Sequence, residues 1–305
     1  MKRMLLLLPL LTVLLTGCTD LSGRLSPDLL AADTGETVRL AAHTTQENAV
    51  ITANTADIRL LPDALRNAAG AEISAGHITM LLVCGNPCAL LETALQQQWL
   101  PPTGSVLALP ESACDALCSG DYPTAEHLTA AAETGLLPYR SADTVLGDLW
   151  GGSGITALHT REHGRLTLLL LDANGQYGTL SETACRGLAL LDHRWKHFSF
   201  ACGDTACSLR RTKLEIRVTE TAGRLRIAVS GTVCPEQNTP AAEQILTDML
   251  TAALDETARA AGADLLFLRE RAVRAGVRCA KTCTQAEWAA MLRDADCTVR
   301  ISVRS

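Results

Sequence analysis

Hydrophobic and polar residues alternate most regularly in the C-terminal half of the chain. Residues 213–218 and 224–229 carry aliphatic side chains at every second position and charged side chains between them. Because successive side chains of a strand point to opposite faces, this pattern predicts two strands with one buried face each. Ala222-Gly223 separates them and predicts an antiparallel hairpin. Residues 299–303 alternate in the same way and predict a closing antiparallel strand.

A long amphipathic helix is predicted to lie on the hairpin sheet. Thr239 suits the N-cap position and Pro240 the first helical position. Apolar residues then recur at helical spacing from Ile245 to Ala261, and Gly262 suits the C-terminal end of the helix. Trp288 is predicted to lie in a final helix before the closing strand.

The N-terminal half alternates between strand and helix patterns. Residues 76–83 form a nearly continuous apolar run, which predicts a strand covered on both faces, and residues 105–109 predict a second one. Residues 36–42 and 48–53 predict short strands, whereas 21–33 predict a polar leash. Helical spacing predicts helices at 62–69, 88–99, 111–118, 125–134, 141–150 and 182–191.

These patterns predict a fold of the α+β or mixed α/β class. At roughly 100 to 200 residues per domain, the length predicts two to three domains. Each is expected to be a mixed or antiparallel β-sheet covered by helices, with the long amphipathic helix on an antiparallel sheet in the C-terminal half. The predicted divisions are 1–17 for a signal peptide, 18–34 for a lipidated cysteine and leash, 35–158 for an N-terminal domain and 159–305 for a C-terminal domain.

The start of the chain predicts export and lipid attachment. A basic start, Met1-Lys2-Arg3, precedes an apolar run at 5–15 that is too short to span a bilayer. Leu15-Thr16-Gly17-Cys18 matches the lipobox pattern of bacterial lipoproteins, in which the cysteine thiol accepts a diacylglyceryl group. Cys18 is therefore the predicted lipidation site and the first residue of the mature protein. The alternative is an ordinary secretory signal that happens to contain a cysteine.

Composition excludes several classes of partner. The chain is 47% apolar but 3% aromatic, a globular profile whose cores must be filled by aliphatic residues. Its net charge of −6 provides no basic footprint for nucleic acid and no polybasic patch for anionic lipid. No later segment is long and apolar enough to span a bilayer. Membrane attachment is therefore expected to depend on the acyl chains of Cys18.

Cysteine usage leaves three interpretations open. Besides Cys18 there are eleven cysteines, which could form disulfides, remain as free buried thiols, or bind metal. The odd count leaves at least one thiol unpaired. Zinc ligands usually come as two nearby pairs, often with histidine, whereas the pairs here are scattered and the histidines do not accompany them. Three Cys-x3-Cys pairs and one Cys-x4-Cys pair occur, at 84/88, 114/118, 279/283 and 202/207.

Candidate chemical motifs are incomplete, so no catalytic, cofactor-binding or metal-binding residue is predicted. The glycine-rich stretch 150–154 lacks the Lys-Ser/Thr of a phosphate-binding loop and the Gly-x-Ser-x-Gly order of a nucleophile elbow. It predicts a flexible junction between domains. His159 and His163 flank Glu162, but a zinc protease motif has Glu directly after the first His. These histidines are predicted to lie on the surface near the junction.

Several motifs occur together in the order of one known family. They are the lipobox, Gly76-His77 entering an apolar strand, residues 182–188, the hairpin, the helix that runs into 262–267, and the Trp288 helix before the last strand. In this order the chain resembles the Ger(x)C family, the lipoprotein C subunits of GerA-type nutrient germinant receptors of endospore-forming bacteria. Three features depart from the family pattern: the segment 266–269 lacks the family's glycine, Thr19 replaces a usual Trp, and the cysteines are numerous.

The resemblance implies a non-enzymatic receptor subunit on the outer face of the inner spore membrane. Its partners would be a multi-pass membrane subunit and a second, partly membrane-embedded subunit, and its role would be nutrient-triggered germination. It implies no cofactor. A cell-envelope hydrolase and a lipid-anchored solute-binding protein remain the alternatives. The solute-binding class would present a cleft between doubly wound domains, which the strict hairpin disfavours.

Overall fold

The computed structural model describes residues 24–45, 48–173, 176–203, 205–236 and 240–304. Within this part of the chain, strands form an eight-stranded sheet, a four-stranded sheet and a two-stranded pair. In chain order the strands are β1 (Arg24–Leu25), β2 (Pro27–Asp33), β3 (Val38–Thr44), β4 (Ala49–Thr55), β5 (Glu72–Ile73), β6 (Met80–Cys84), β7 (Ser105–Ala108), β8 (Ile155–Glu162), β9 (Arg165–Asp172), β10 (Gln176–Thr179), β11 (Phe198–Cys202), β12 (Thr205–Thr221), β13 (Arg224–Pro235) and β14 (Asp296–Val303).

Helices cover both sheets, so the fold is mixed α+β, as predicted. In chain order the α-helices are α1 (Leu61–Ala69), α2 (Cys88–Gln96), α3 (Ala113–Ser119), α4 (Ala125–Glu133), α5 (Ala142–Gly151), α6 (Glu182–Asp192), α7 (Pro240–Leu254), α8 (Leu268–Arg274), α9 (Arg278–Thr282) and α10 (Gln285–Arg293). Short 3₁₀ turns occur at Ile58–Leu60 and Ala75–His77.

The eight-stranded sheet has the order β10-β9-β8-β7-β6-β2-β3-β4, with β2, β6, β7 and β8 parallel at its centre. The strand predicted at 76–83 is confirmed only in its second half, as β6, where residues 80–83 are at most 1% exposed, whereas Gly76 and His77 belong to a 3₁₀ turn before it. Residues of α2 and α5 pack on one face and residues of α3 and α4 on the other. A parallel strand buried on both faces needs apolar side chains at every position, which explains the continuous run.

The predicted polar leash at 21–33 is wrong for residues 27–33. This segment is β2, which pairs with β3 on one side and with β6 on the other. Leu30, Ala31 and Ala32 are buried. Alanine has a low intrinsic preference for strands, so the local sequence does not predict the strand that its two neighbours stabilise.

The four-stranded sheet has the order β11-β12-β13-β14. The predicted hairpin is confirmed as β12 and β13, which pair from Leu209↔Pro235 to Thr221↔Arg224. The closing strand β14 is parallel to β13, so the antiparallel prediction is wrong. The described part of the chain between them contains four α-helices, and such a crossover returns the strand in the same direction. Alternation predicts which face is buried but not the direction of pairing.

The long helix is confirmed as α7, which lies against the sheet. It continues as a π-helical segment, Asp255–Ala261, and ends at Gly262 in the left-handed conformation, with a φ of 75°. Leu246 and Leu250 on its inner face are fully buried. The predicted N-cap Thr239 lies outside the described residues.

The domain division stays a prediction, but its boundary at 158/159 lies inside β8. β8 pairs with β7 and β9, and β9 pairs with β10, so the first sheet includes residues up to Thr179. Only after this strand does the chain contribute an element, α6, that packs with the second sheet and its long helix. Strands β8 to β10 therefore belong structurally with the first sheet, not with the second.

Gly187 allows α6 and α7 to pack at unusually close range. A Cβ atom at this position would lie 2.0 Å from the carbonyl oxygen of Met249 and 2.9 Å from Cβ of Ala253. Both contacts involve α7, and the first involves its backbone. The two helices therefore approach to a distance that any side chain at position 187 would prevent.

We expect Gly187→Ala to lower the free energy of unfolding by about 1–3 kcal/mol, because overpacking forces the backbone of α7 to shift. Gly147→Ala is the matched control. Gly147 is exposed in α5 and a Cβ there meets nothing within 4 Å, so removal of glycine should stabilise the helix by about 0.5–1 kcal/mol. Chemical denaturation of both variants measures the difference. Equal effects would contradict the close-packing argument.

Candidate functional site

A buried polar network connects helix α5 with strand β8 of the eight-stranded sheet. The side chains of Arg140 and Asp148 are 5% and 1% exposed and form an ion pair. Nε of Arg140 donates to the carbonyl oxygen of Ala157 (3.2 Å), and the hydroxyl of Thr156 donates to Oδ2 of Asp148 (2.9 Å). Burial raises the pKa of Asp148 to about 6, against the opposing effect of Arg140. The pair is held by hydrogen bonds that its burial makes necessary.

The glycine-rich stretch 150–154 is packed and hydrogen-bonded to distant segments, which contradicts the predicted flexible junction. Helix α5 includes Gly151, and Ser153 is buried. The backbone N–H of Asp264 donates to the Ser153 hydroxyl at 3.0 Å. The side-chain amide of Gln285 donates to the carbonyl oxygens of Leu149 and Trp150 at 2.7 and 2.8 Å. Residues more than one hundred positions away thus satisfy the polar groups of this loop, and no local pattern shows this.

Asp264 is the acceptor at the centre of the second part of the network. Its buried carboxylate accepts from the backbone N–H groups of Leu268 (2.5 Å) and Arg269 (2.8 Å), and from the indole N–H of Trp288 (2.9 Å). Burial raises the pKa of Asp264, while these three hydrogen bonds lower it. The carboxylate therefore satisfies the first turn of α8 and holds the buried Trp288 of α10.

A cavity of about 220 Å³ lies beside this network. Its lining includes the apolar residues Leu168, Leu188 and Leu265 together with charged residues such as Arg140, Asp192 and Arg271. Phe267 lines it in the left-handed conformation, with a φ of 54°, and is 48% exposed. An aromatic residue in this region of φ carries backbone strain of about 1–2 kcal/mol. Phe267 lies in the segment 266–269, which lacks the glycine that the Ger(x)C family carries there.

His159 and His163 do not lie together on the surface. His163 is in the exposed turn between β8 and β9, but His159 is fully buried in β8, so the surface prediction is wrong for His159. Nε2 of His159 is 3.1 Å from the carbonyl oxygen of Pro138, and burial lowers its pKa to about 4. The imidazole is therefore neutral near pH 7. Its neighbours on the sheet, not its sequence context, decide this burial.

The three Cys-x3-Cys pairs contain free thiols, so the disulfide interpretation fails for these six cysteines. Cys114 is buried, and its thiol donates to the carbonyl oxygens of Ala31 (3.7 Å) and Arg39 (3.4 Å). Burial raises the pKa of Cys114 to about 12, which keeps this thiol protonated and unreactive. The six residues are Cys84, Cys88, Cys114, Cys118, Cys279 and Cys283.

Across the residues that the structure describes, no three or more His, Cys, Asp or Glu side chains gather in a group that could hold a metal ion. None of the described helices is both long and apolar enough to cross a membrane. The predicted lipidation site, Cys18, lies outside the described residues.

The buried state of His159 predicts acid sensitivity. An unfolded chain takes up a proton on this side chain below about pH 6.5, whereas the folded protein does so only near pH 4. The unfolded state therefore binds more protons within this window, and the stability of the fold decreases as the pH falls. Between pH 7 and pH 5 we expect His159 to cost about 2 kcal/mol. His159→Gln should reduce the pH dependence by this amount in urea unfolding, while His163→Gln should retain it. An unchanged pH dependence in His159→Gln would contradict the assignment.

Comparisons with known proteins add one structural likeness. No family model matches the sequence, and no curated protein matches it. Among solved structures, the crystal structure of the GerBC protein superposes with a TM-score of 0.56 at 12% sequence identity. The match covers 90% of this chain and 96% of that one. The chain therefore shares the fold of the GerBC protein, a member of the Ger(x)C family that its sequence resembles.

Proposed function

We propose that this protein is a lipid-anchored, non-enzymatic subunit of a spore nutrient germinant receptor, needed for nutrient-triggered spore germination. It is held by Cys18 on the outer face of the inner spore membrane. Its partners are the two other receptor subunits, one multi-pass and one partly embedded in the membrane. It uses no cofactor.

The fold likeness to the GerBC protein carries this proposal. The match extends over nearly the whole of both chains, so it concerns the complete arrangement of sheets and helices and not one common motif. The sequence resemblance to the Ger(x)C family points to the same group of proteins independently, because it rests on the order of short motifs and not on the structure.

The motif residues of the second half have architectural roles that support the resemblance. Gly187 permits the contact between α6 and α7, and Gly262 ends the long helix. Asp264 and Trp288, which are separated by 24 residues, bind each other in the core. A chain of low identity would need to retain these residues to retain the fold, since each one satisfies a steric or polar requirement that few other residues meet.

The non-enzymatic role is supported by what the candidate catalytic side chains do. The hydroxyl of Ser153, the only serine in the glycine-rich stretch, is buried and accepts a hydrogen bond from the Asp264 backbone. His159 is buried and neutral against the Pro138 carbonyl. Both residues are engaged in the interior, where a substrate would have no access to them.

The length of chain after Cys18 supports a close tether. The described residues begin at Arg24, six positions after Cys18, where β1 pairs with β5. Six extended residues reach at most about 20 Å, so an acylated Cys18 would hold the body near the bilayer surface. Such tethering raises the effective concentration of membrane partners, which allows weak lateral contacts to assemble a complex.

We expect Cys18→Ala to abolish stable membrane anchoring and to impair nutrient-triggered germination, because the variant lacks the thiol that accepts the diacylglyceryl group. Membrane fractionation and the optical density loss of spores measure the two effects. A germination route that bypasses the receptors should remain intact. Normal nutrient germination in spores whose Cys18→Ala protein carries no lipid would refute the proposal.

Leu250→Asp provides the contrasting loss of function. Leu250 is fully buried on α7, so a carboxylate there would lack a partner and cost several kcal/mol. We expect this variant to lose protein abundance on an immunoblot. The Cys18→Ala variant should instead yield a folded body in the wrong location. If the Cys18→Ala variant were also low in abundance, its loss of function would be explained by misfolding. That result would count against the tether.

A further inference from the structure

The four-stranded sheet leaves one of its faces without a covering element among the described residues. Ile216, Val218, Ile227 and Val229 point to the opposite face, where they pack with α7 and α10 in the main core. Their neighbours in the sequence therefore point outward. The register places the outward residues in rows across β12, β13 and β14; one such row is Glu215↔Ser230↔Arg300.

This outward face, which we call the basic sheet face, is dominated by positive charge. Among the paired residues of β12, β13 and β14, six basic side chains stand on it against two acidic ones, Glu215 and Asp296. Two further carboxylates lie at its edges, Glu236 beside Ser208 and Asp294 beside Arg224, so basic groups remain in excess. The chain as a whole carries a net charge of −6, so the face has the opposite sign to the rest of the molecule. The basic residues are Arg211, Lys213, Arg217, Arg224, Arg226 and Arg300.

Three of the basic side chains form no ion pair within 4.0 Å in the described part of the chain, although Glu215 also attracts Lys213 at longer range. Arg217 pairs with Glu215 (3.0 Å) and Arg226 with Asp296 (3.3 Å), and Arg224 reaches Asp294 beyond α10 (2.9 Å). The remaining three, Arg211, Lys213 and Arg300, are exposed and lie on three different rows of the face. An excess of cationic groups held on a rigid sheet favours an anionic partner.

The chemistry between the charges indicates what kind of anion the face suits. The intervening outward positions carry small residues, mainly Ser and Thr, among them Thr219, Ser230 and Thr298. Protein interfaces usually centre on aromatic anchors in desolvated pockets, and single-stranded nucleic acid is bound through aromatic stacking. The basic sheet face offers neither. Long cationic side chains among small hydroxyl residues suit a diffuse layer of anionic groups.

We propose that the basic sheet face lies against the anionic phospholipid headgroups of the membrane. It would act as a second attachment, which orients the body in addition to any tether at Cys18. The inference rests on the proposed function only for the presence of a membrane beside the protein, since the adhesion itself needs no acyl chain. Basic residues near an anionic surface each strengthen attachment by roughly fivefold. Salt should weaken it, because exposed charges are screened over a Debye length.

Two native thiols allow a direct test in the full-length protein. Cys234 lies opposite Arg211 in the strand register, on the basic sheet face, and is partly exposed. Cys118 is exposed on α3 and serves as the reference. The membrane-extracted protein is reconstituted into vesicles of phosphatidylcholine alone, or of phosphatidylcholine with phosphatidylglycerol. Both cysteines are labelled with maleimide, and peptide mass analysis measures the rate of labelling of each one. We expect labelling of Cys234 to slow by about tenfold on the anionic vesicles, and that of Cys118 to stay the same.

A charge-matched pair of variants separates the face from the net charge. R211E/K213E/R300E reverses the three unpaired basic groups of the face. R165E/R278E/K281E changes the total charge equally but at exposed positions outside this sheet. The first variant should lose the protection of Cys234, as should the wild type at about 1 M salt. The second should retain it. Matching thermal unfolding of both variants establishes that they fold.

Each outcome either supports or overturns the proposal. Equal labelling of Cys234 on both kinds of vesicle, or equal protection of Cys118, would overturn it. Protection that appears on neutral vesicles only when other receptor subunits are present would assign the face to a protein partner and would also overturn it. The mass of the N-terminal peptide reports the acylation of Cys18 separately. Protection of Cys234 in protein without acyl chains would support the face while contradicting the proposed anchor.

Discussion

The buried carboxylate of Asp264 is the interaction on which the relation between the two sheets depends. Burial opposes its charge, and three N–H groups that converge on it offset that cost. They come from the start of α8 and from Trp288 in α10, which packs against the second sheet. The backbone N–H of the same residue donates to Ser153, at the end of the first sheet's helix α5. One residue thus connects segments that are distant in the sequence.

The neighbouring Arg140–Asp148 pair is a second buried charge that is held by specific partners, in this case within the first sheet. An ion pair removed from water contributes little net stability, because desolvation opposes the attraction. Its value here is geometric. Arg140 binds the backbone of β8 and the carboxylate of α5, so it specifies how this helix lies on the sheet. Gln285 then binds the end of α5 from the other side. Specific polar contacts, and not a flexible linker, determine how the halves meet.

The two sheets differ in how their faces are covered. The parallel strands at the centre of the first sheet are buried on both faces, so their side chains belong to the core. The second sheet is covered on one face by α7, so its other face is free to carry function. The chain is acidic overall, yet this face is basic. A net charge calculated over the whole sequence therefore conceals a surface on which opposite charges are separated.

The sequence by itself determined the local elements and the class of fold. The hairpin, the long helix ending at Gly262 and the doubly covered strand β6 follow from periodicity, because each pattern reflects which side of one element meets the core. The motif order also pointed to the correct fold. The candidate site was less accessible: Cys18 is visible as a pattern, but Asp264 and Trp288 have no local signal that joins them.

Only the tertiary structure decided the features that depend on distant neighbours. Strand β2 contains alanines of low strand preference and exists because β3 and β6 flank it. β14 is parallel because a crossover through helices precedes it, and alternation is the same in both directions. His159 and Ser153 are buried because of what packs around them, and six cysteines whose spacing suggested pairs are free thiols. The basic sheet face exists because pairing in register aligns residues from three strands, and this alignment is a long-range property of the fold.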